Sequence, residues 1–187
     1  MNRITSTAAL TLTAALALGA CSGPNGESET STTTSTANDA DVMFAQMMIP
    51  HHEQAIEMSE LVLENGSGDA EVTSLAEDIM AAQGPEIEQL DTWLEDWGAE
   101  PMADEMAGMD HGDGMMSEED MAALDSASGT EADELFLEQM IVHHEGAVQM
   151  AQGEVEDGEN ADAIALAEQI IEAQNIEITL MQDLLDR

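Results

Sequence analysis

The sequence predicts an all-α protein, an antiparallel four-helix bundle made of two repeated helical hairpins joined by a Met-rich crossover. Three observations predict it. Apolar residues recur at three- and four-residue spacing over four long stretches, with no strand-like alternation anywhere. Residues that start and stop helices stand between those stretches. The chain also repeats itself at an offset of 92 residues.

The first element begins at about Asp39, where Val42, Ala45, Met48, Ile49, His52, Ala55, Ile56, Ser59 and Val62 set the helical period. Gly66-Ser67-Gly68 ends it. A second helix follows from about Asp69 to Trp97, with Val72, Leu75, Ala76, Ile79, Ala82, Ile87, Leu90 and Leu94 on its apolar face. Gly84-Pro85 lies inside that pattern and is expected to kink or split it, because proline removes a backbone donor and crowds the preceding turn. Gly98 suits the residue just past a helix end. Residues 98–130 form the crossover, aperiodic to 116 and then opening a short helix at Ser117-Glu118-Glu119-Asp120, which has the form of a capping box. Thr130 with Asp133 repeats that capping signal. The third long helix runs to about Asp157 before Gly158, and the fourth from about Ala161 to Leu185 behind Asn160 as N-cap.

The repeat turns four helices into two copies of one hairpin. Phe44-Ala-Gln-Met-Met-Ile-Pro-His-His-Glu-Gln-Ala-Ile-Glu-Met58 aligns with Phe136-Leu-Glu-Gln-Met-Ile-Val-His-His-Glu-Gly-Ala-Val-Gln-Met150. After one loop deletion, Leu75–Gln83 aligns with Leu166–Gln174 at an offset of 91. Each hairpin, about 39–97 and 131–187, carries one apolar stripe. Two such stripes cover each other with pseudo-twofold symmetry.

Ahead of the domain, residues 8–20 are apolar or small, too short to span a bilayer but long enough for the core of an export signal. Leu18-Gly19-Ala20-Cys21 resembles the lipobox of bacterial lipoproteins. That resemblance implies cleavage after residue 20, lipidation at Cys21 and a cell-membrane anchor on the extracytoplasmic face. The blander alternative is a plain secretory signal with a spectator cysteine. Residues 21–38 are rich in Ser, Thr and Gly and read as a flexible tether.

Composition narrows function. The chain has 41 acidic residues against two arginines and no lysine, for a formal charge of −39. That surface repels nucleic acid and attracts cations, so no nucleic-acid partner is expected. Solubility or salt adaptation would give the same balance. Cys21 is the only cysteine, so a lipidated chain keeps no thiol for a disulfide, for a catalytic thiolate or for zinc. The expectation is a binding protein with no catalytic residues. The 15 methionines can fill a core or act as soft sulfur ligands.

The sharpest motif is Met-Ile-x-His-His-Glu, present at Met48–Glu53 and again at Met140–Glu145. On a helix, Met48 lies one turn before His51 and His52, and Met140 one turn before His143 and His144. Neighbouring side chains diverge by about 100°, so one histidine of each pair is expected to face the bundle and the other to lie toward its edge. Met47 lies one turn before His51, while Met58 and Met150 lie two turns beyond His51 and His143. A lone helix histidine is more often structural than a ligand. Two adjacent pairs duplicated in register, each preceded by methionine, are harder to explain by packing.

Di-iron bundles place Glu three residues before a metal-binding His. Here Met48 and Met140 occupy that spacing, and no Glu precedes any of the five histidines by three. Imidazole with thioether selects Cu(I), with Ag(I) as a second soft ion. The crossover adds Met109, His111, Met115 and Met116 among other methionines, in a setting of Gly, Asp and Glu that a buried core would not use. A disordered spacer is the rival reading of that segment. The acidic surface is expected to raise the imidazole pKa values and to weaken His ligation in mild acid.

The paired segments Phe44–Met58 and Phe136–Met150, the run Gly114–Met121 and the lipobox together resemble the domain-of-unknown-function 305 family over about residues 39–187. The resemblance implies a ferritin-like four-helix bundle with a role in copper binding and tolerance outside the cytoplasm. It carries metal ligation to Met48, His51, His52, Met140, His143 and His144, and more loosely to the crossover. The chain departs from an even repeat at Gln139, opposite Met47, so two sites of different affinity are expected. The reading is a copper-binding lipoprotein that buffers metal or passes it to a protein partner. The alternatives are a metal-dependent oxidase on the same scaffold, with Glu53, Glu57, Glu145, Glu77 or Glu168 as carboxylates, and an acidic module that binds a cationic partner without metal.

Overall fold

A computed structural model describes residues 36–101 and 114–187. The expected export signal at 1–20, Cys21, most of the tether, and Met109 and His111 of the crossover lie outside the described residues.

Five helices and no strands are present among the described residues: α1 (Asp39–Glu64), α2 (Ala70–Trp97), α3 (Glu118–Ser126), α4 (Thr130–Asp157) and α5 (Ala161–Leu185). None of them is long and apolar enough to cross a membrane. Local chemistry sets most boundaries. Asn38 caps α1 by accepting from the amides of Ala40 and Asp41, and Asp41 returns a bond to the Asn38 amide. Asn160 caps α5 in the same way, through the amides of Asp162 and Ala163. Ser117 and Asp120 form the expected capping box of α3. Gly98 ends α2 in the left-handed region at φ 68°.

Two expectations need correction. The α2 helix is not split at Gly84-Pro85 but continues through it, as α1 does through Pro50. Packing of the turns on either side holds the helix although proline removes a backbone bond. Thr130 does not cap α4; Gly129 is the N-cap and offers no side chain. Asp133 instead points out of its own helix and accepts from the Gly68 amide in the α1–α2 turn, at 2.9 Å.

The helices pack as two hairpins, α1 with α2 and α4 with α5, joined through the α1–α4 seam. The apolar residues form two separate clusters. One holds Met58 and Val62 of α1, Leu75 and Ile79 of α2, Leu124 of α3, Phe136 and Met140 of α4 and Met181 of α5. The other holds Phe44 and Met48 of α1, Leu90 and Leu94 of α2, Ala147 and Ala151 of α4 and Ile170 of α5. The early part of α1 thus shares a cluster with the late part of α4, and the reverse holds in the other cluster, so α1 and α4 run antiparallel. Between the clusters lies a short stretch of every long helix that contributes buried polar residues.

Aspartates fasten the two ends. Asp41 is fully buried and accepts from the amides of Glu159 and Asn160 in the α4–α5 turn. Asp133, its counterpart at an offset of 92, holds the α1–α2 turn through Gly68. Each hairpin therefore grips the turn of the other.

Candidate metal centre

The polar layer is built from the duplicated histidines. His51, His52, His143 and His144 are all buried, at 1% exposure or less. The expectation that one of each pair lies toward the edge is wrong, for a geometric reason. The α1 helix has neighbours on two sides, α2 and α4, so side chains about 100° apart both find a packed interface. The first histidine of each pair turns to the seam, where the His51 and His143 rings stand 3.7 Å apart, inclined by 39°. The second turns to the other helix of its own hairpin. His52 Nε2 lies 2.7 Å from Glu86 Oε2 on α2, and His144 Nε2 lies 2.7 Å from Glu177 Oε2 on α5.

The two bonds are equal in length and related by the repeat, since Glu86 and Glu177 are 91 positions apart. In each, a carboxylate oxygen accepts from Nε2–H, and in the neutral form of such a ring Nδ1 is the nitrogen that carries the lone pair. Nδ1 of His52 and of His144 is buried and meets no hydrogen-bond partner. Gln83 and Gln174, one turn before the two glutamates, are also buried, each with an unpartnered Oε1. Buried polar atoms are ordinarily bonded, so these open acceptors mark the layer as the candidate site.

Electrostatics favour the neutral ring at His143. The His143 pKa lies well below its ordinary value, first because burial penalises the charged ring and then because His51, His144 and His52 are close. The expectation that the acidic surface raises the imidazole pKa values is overturned at this residue. The surface carboxylates are solvated, whereas the ring is in a dry interior among other imidazoles. A neutral imidazole is the form that binds metal.

The methionines divide by position. Met48 and Met140 are fully buried, one in each apolar cluster, one turn before His51 and His143. They flank the histidine layer from opposite sides. Met58 is fully buried in the crossover-side cluster, and Met150 is half-buried against the other, two turns from the histidines in each case. Met47 is half-buried near the same level of α1. Met115 and Met116, at the end of the crossover, are half-buried too. Among the described residues no three His, Cys, Asp or Glu side chains stand ready to hold one ion. An ion held at this layer therefore draws on a donor outside that set, and buried thioether sulfur is adjacent along both helices.

Glu86 and Glu177 are the residues that sequence reasoning missed. The alignment of Leu75–Gln83 with Leu166–Gln174 stops three positions short of them, and extending it would have shown Gln-x-x-Glu in both copies. The carboxylates weighed as candidates, Glu53, Glu57, Glu77, Glu145 and Glu168, are all exposed and outside the layer.

Comparison with known proteins gives a consistent result. Residues 41–185 match the family described as domain of unknown function (DUF305). A putative secreted DUF305 protein from Streptomyces coelicolor is 34% identical with a TM-score of 0.71, covering 79% of this chain and 92% of that one. A DUF305 fragment from Deinococcus radiodurans is 36% identical with a TM-score of 0.70, covering 81% and 98%. CopM in its Cu(II)-bound form is 33% identical with a TM-score of 0.69, covering 78% and 95%; CopM has also been solved in Cu(I)-bound, silver-bound and apo forms. No curated relative matches the sequence. The duplicated helical hairpin, the match over 41–185 and these structural relatives agree that the chain belongs to the DUF305 family.

Proposed function

We propose that this protein binds Cu(I), with Ag(I) as a second soft ion, through imidazole nitrogens and methionine thioethers at the histidine layer. One observation carries the reading. Four buried histidines form one layer, His51 against His143 at the α1–α4 seam and His52 and His144 each beside a glutamate of its own hairpin with a buried Nδ1 that meets no partner, and a buried methionine lies one turn before each pair. Imidazole and thioether are the donors that favour a soft monovalent ion over a hard one. The solved copper- and silver-bound forms of CopM, at 32–33% identity, support carrying this chemistry to the present chain.

The ion is cargo, held and released without turnover. The Leu18–Cys21 lipobox supports export and a lipid anchor at Cys21, which places the domain at the extracytoplasmic face of the cell membrane. There thioethers stay in ligand form where free thiolates tend to oxidise. Such a protein buffers copper or passes it to a protein partner. The fold is best read as an antiparallel four-helix bundle of the ferritin-like type, supported by the pairing of α1 with α2, α4 with α5 and α1 with α4.

Titrating the purified protein with Cu(I) against a competing chelator tests the proposal. The expected result is tight binding that disappears when His51, His52, His143 and His144 are replaced together. Retention of full affinity in that variant, or oxygen turnover by the loaded protein, overturns it. A second variant lacking the thioethers of Met109, Met115 and Met116 and the imidazole of His111 shows how much binding the crossover adds.

A further inference from the structure

The two hairpins share His-His-Glu, and just after it they differ, Gln54 in the first copy and Gly146 in the second. These equivalent positions lie one turn beyond His51 and His143. Both are used by one short stretch of chain, Gly114-Met115-Met116.

The contacts are specific. The Gln54 side chain pairs with the backbone of Met116 on both sides: its Oε1 accepts from the Met116 amide at 2.7 Å, and its Nε2 donates to the Met116 carbonyl at 2.9 Å. At the other end, Gly114 sits against α4. A Cβ on Gly114 would come within 2.5 Å of the Val142 carbonyl oxygen and 3.0 Å of the Gly146 Cα, and its φ of +81° is one that side chains disfavour. The turn of α4 it touches contains His143 and His144. Met115 lies between the two anchors.

We infer that Gly114–Met116 is a strap closing the α1–α4 seam over the histidine layer, seated by Gln54 on one side and by the Gly114–Gly146 contact on the other, and that it controls access of an ion to that layer. A second glutamine at the Gly146 position would occupy the space Gly114 needs, and a glycine at 54 would leave the Met116 amide and carbonyl without their partner. The neighbouring break in the repeat fits the same cause. Gln139, which replaces the counterpart of Met47, donates to the Asp120 carbonyl at the start of α3 and so holds the chain just after the strap. These two of the differences between the repeats, Met47 against Gln139 and Gln54 against Gly146, fall where the single crossover docks on a pseudo-symmetric pair of helices.

Control of ion access rests on the proposed copper function; covering of the layer does not, and the test separates them. The purified metal-free protein is treated with diethyl pyrocarbonate, which modifies neutral imidazole, and modification of His143 is followed by mass spectrometry. Gln54→Leu releases one anchor and Gly114→Ala the other, with thermal melting used to verify that each variant is folded. Gln54→Leu, which removes two hydrogen bonds, is expected to raise the His143 modification rate by about tenfold or more, and Gly114→Ala, which forces the segment off α4, is expected to raise it in the same direction. Unchanged reactivity in both folded variants overturns the inference. Cu(I) transfer from the same variants to a chelator is expected to speed up by a similar factor. Faster modification with unchanged Cu(I) transfer upholds the cover and contradicts the placement of copper beneath it.

Discussion

The two hairpins agree at the centre of the molecule and disagree at its margins. At the centre, α1 and α4 each present a His-His pair, α2 and α5 each present a glutamate at 2.7 Å from the second histidine, and a buried Gln lies one turn before each glutamate. At the margins, Met47 faces Gln139 across the repeat, Gln54 faces Gly146, and Val62 faces Glu154. The first two differences serve the crossover. The third makes the two ends unequal. Symmetry is thus kept where two half-sites must meet and given up where a single connection, or a single end, has a task of its own.

If the central layer is functionally symmetric, its two halves should respond alike. Replacing His51 and His143 together with Ala is expected to lower Cu(I) affinity by more than ~100-fold, above the ~10–100-fold typical of residues that only orient a ligand. Competition titration measures it, and the largest effect is expected here. Glu86→Gln and Glu177→Gln come next. Each removes the charge that fixes a histidine tautomer and is expected to cost ~10–100-fold in affinity, equally for the two. An effect confined to one of them breaks the comparison and points to a single functional half.

The ends should respond differently. Asp41 accepts three main-chain amides, from Asn38, Glu159 and Asn160, while Asp133 accepts the Gly68 amide. Asp41→Ala is expected to cost about 3 kcal/mol of stability and Asp133→Ala about 1 kcal/mol, from the number of main-chain amides each leaves unsatisfied. Urea denaturation of the two variants decides it.

Glu154 sharpens the same contrast through pH. It is buried beside Asp41, and burial first, then that neighbour, push its pKa from 4.5 up to about 8. Burial tends to raise Asp41 as well, but the amides of Asn38 and Asn160, the Glu154 carboxyl and the Glu159 amide outweigh it and hold Asp41 below its ordinary value. A raised pKa means that the folded state binds this proton more tightly than the unfolded chain. The contribution is full below about 4.5 and declines as pH rises, until it is lost above about 8. Glu154→Gln is expected to remove this loss between pH 4.5 and about 8, up to about 5 kcal/mol, read as a flatter curve of melting temperature against pH. An unchanged curve would contradict the assignment. Gly158 belongs to the same arrangement, since a Cβ there would meet the Glu154 carboxyl at 2.4 Å.

Much of this was legible in the chain itself. Helix number, most boundaries and the caps at Asn160 and Ser117 follow from periodicity and from short-range side-chain chemistry. The repeat gives the hairpins, and the doubled His-His motif gives the helices that build the centre. Three things were not legible, each for a physical reason. Burial of both histidines in a pair depends on α1 and α4 having neighbours on two sides. The partners Glu86 and Glu177 are 34 and 33 residues from their histidines, so no local pattern on α1 or α4 names them. The lowered His143 pKa comes from desolvation, which charge composition does not reveal. The strap left a trace in the Gln54–Gly146 mismatch, but a mismatch between repeats acquires meaning only once the crossover is seen lying on it.

The central claim is that an ion is held between the two half-sites, and anomalous diffraction from crystals loaded with Cu(I) tests it most directly. The account predicts a copper peak within about 2.1 Å of a ring nitrogen of the histidine layer, with thioether sulfur from Met48 or Met140 completing the coordination. Copper found only away from His51, His52, His143 and His144, with those rings unmoved, would contradict it.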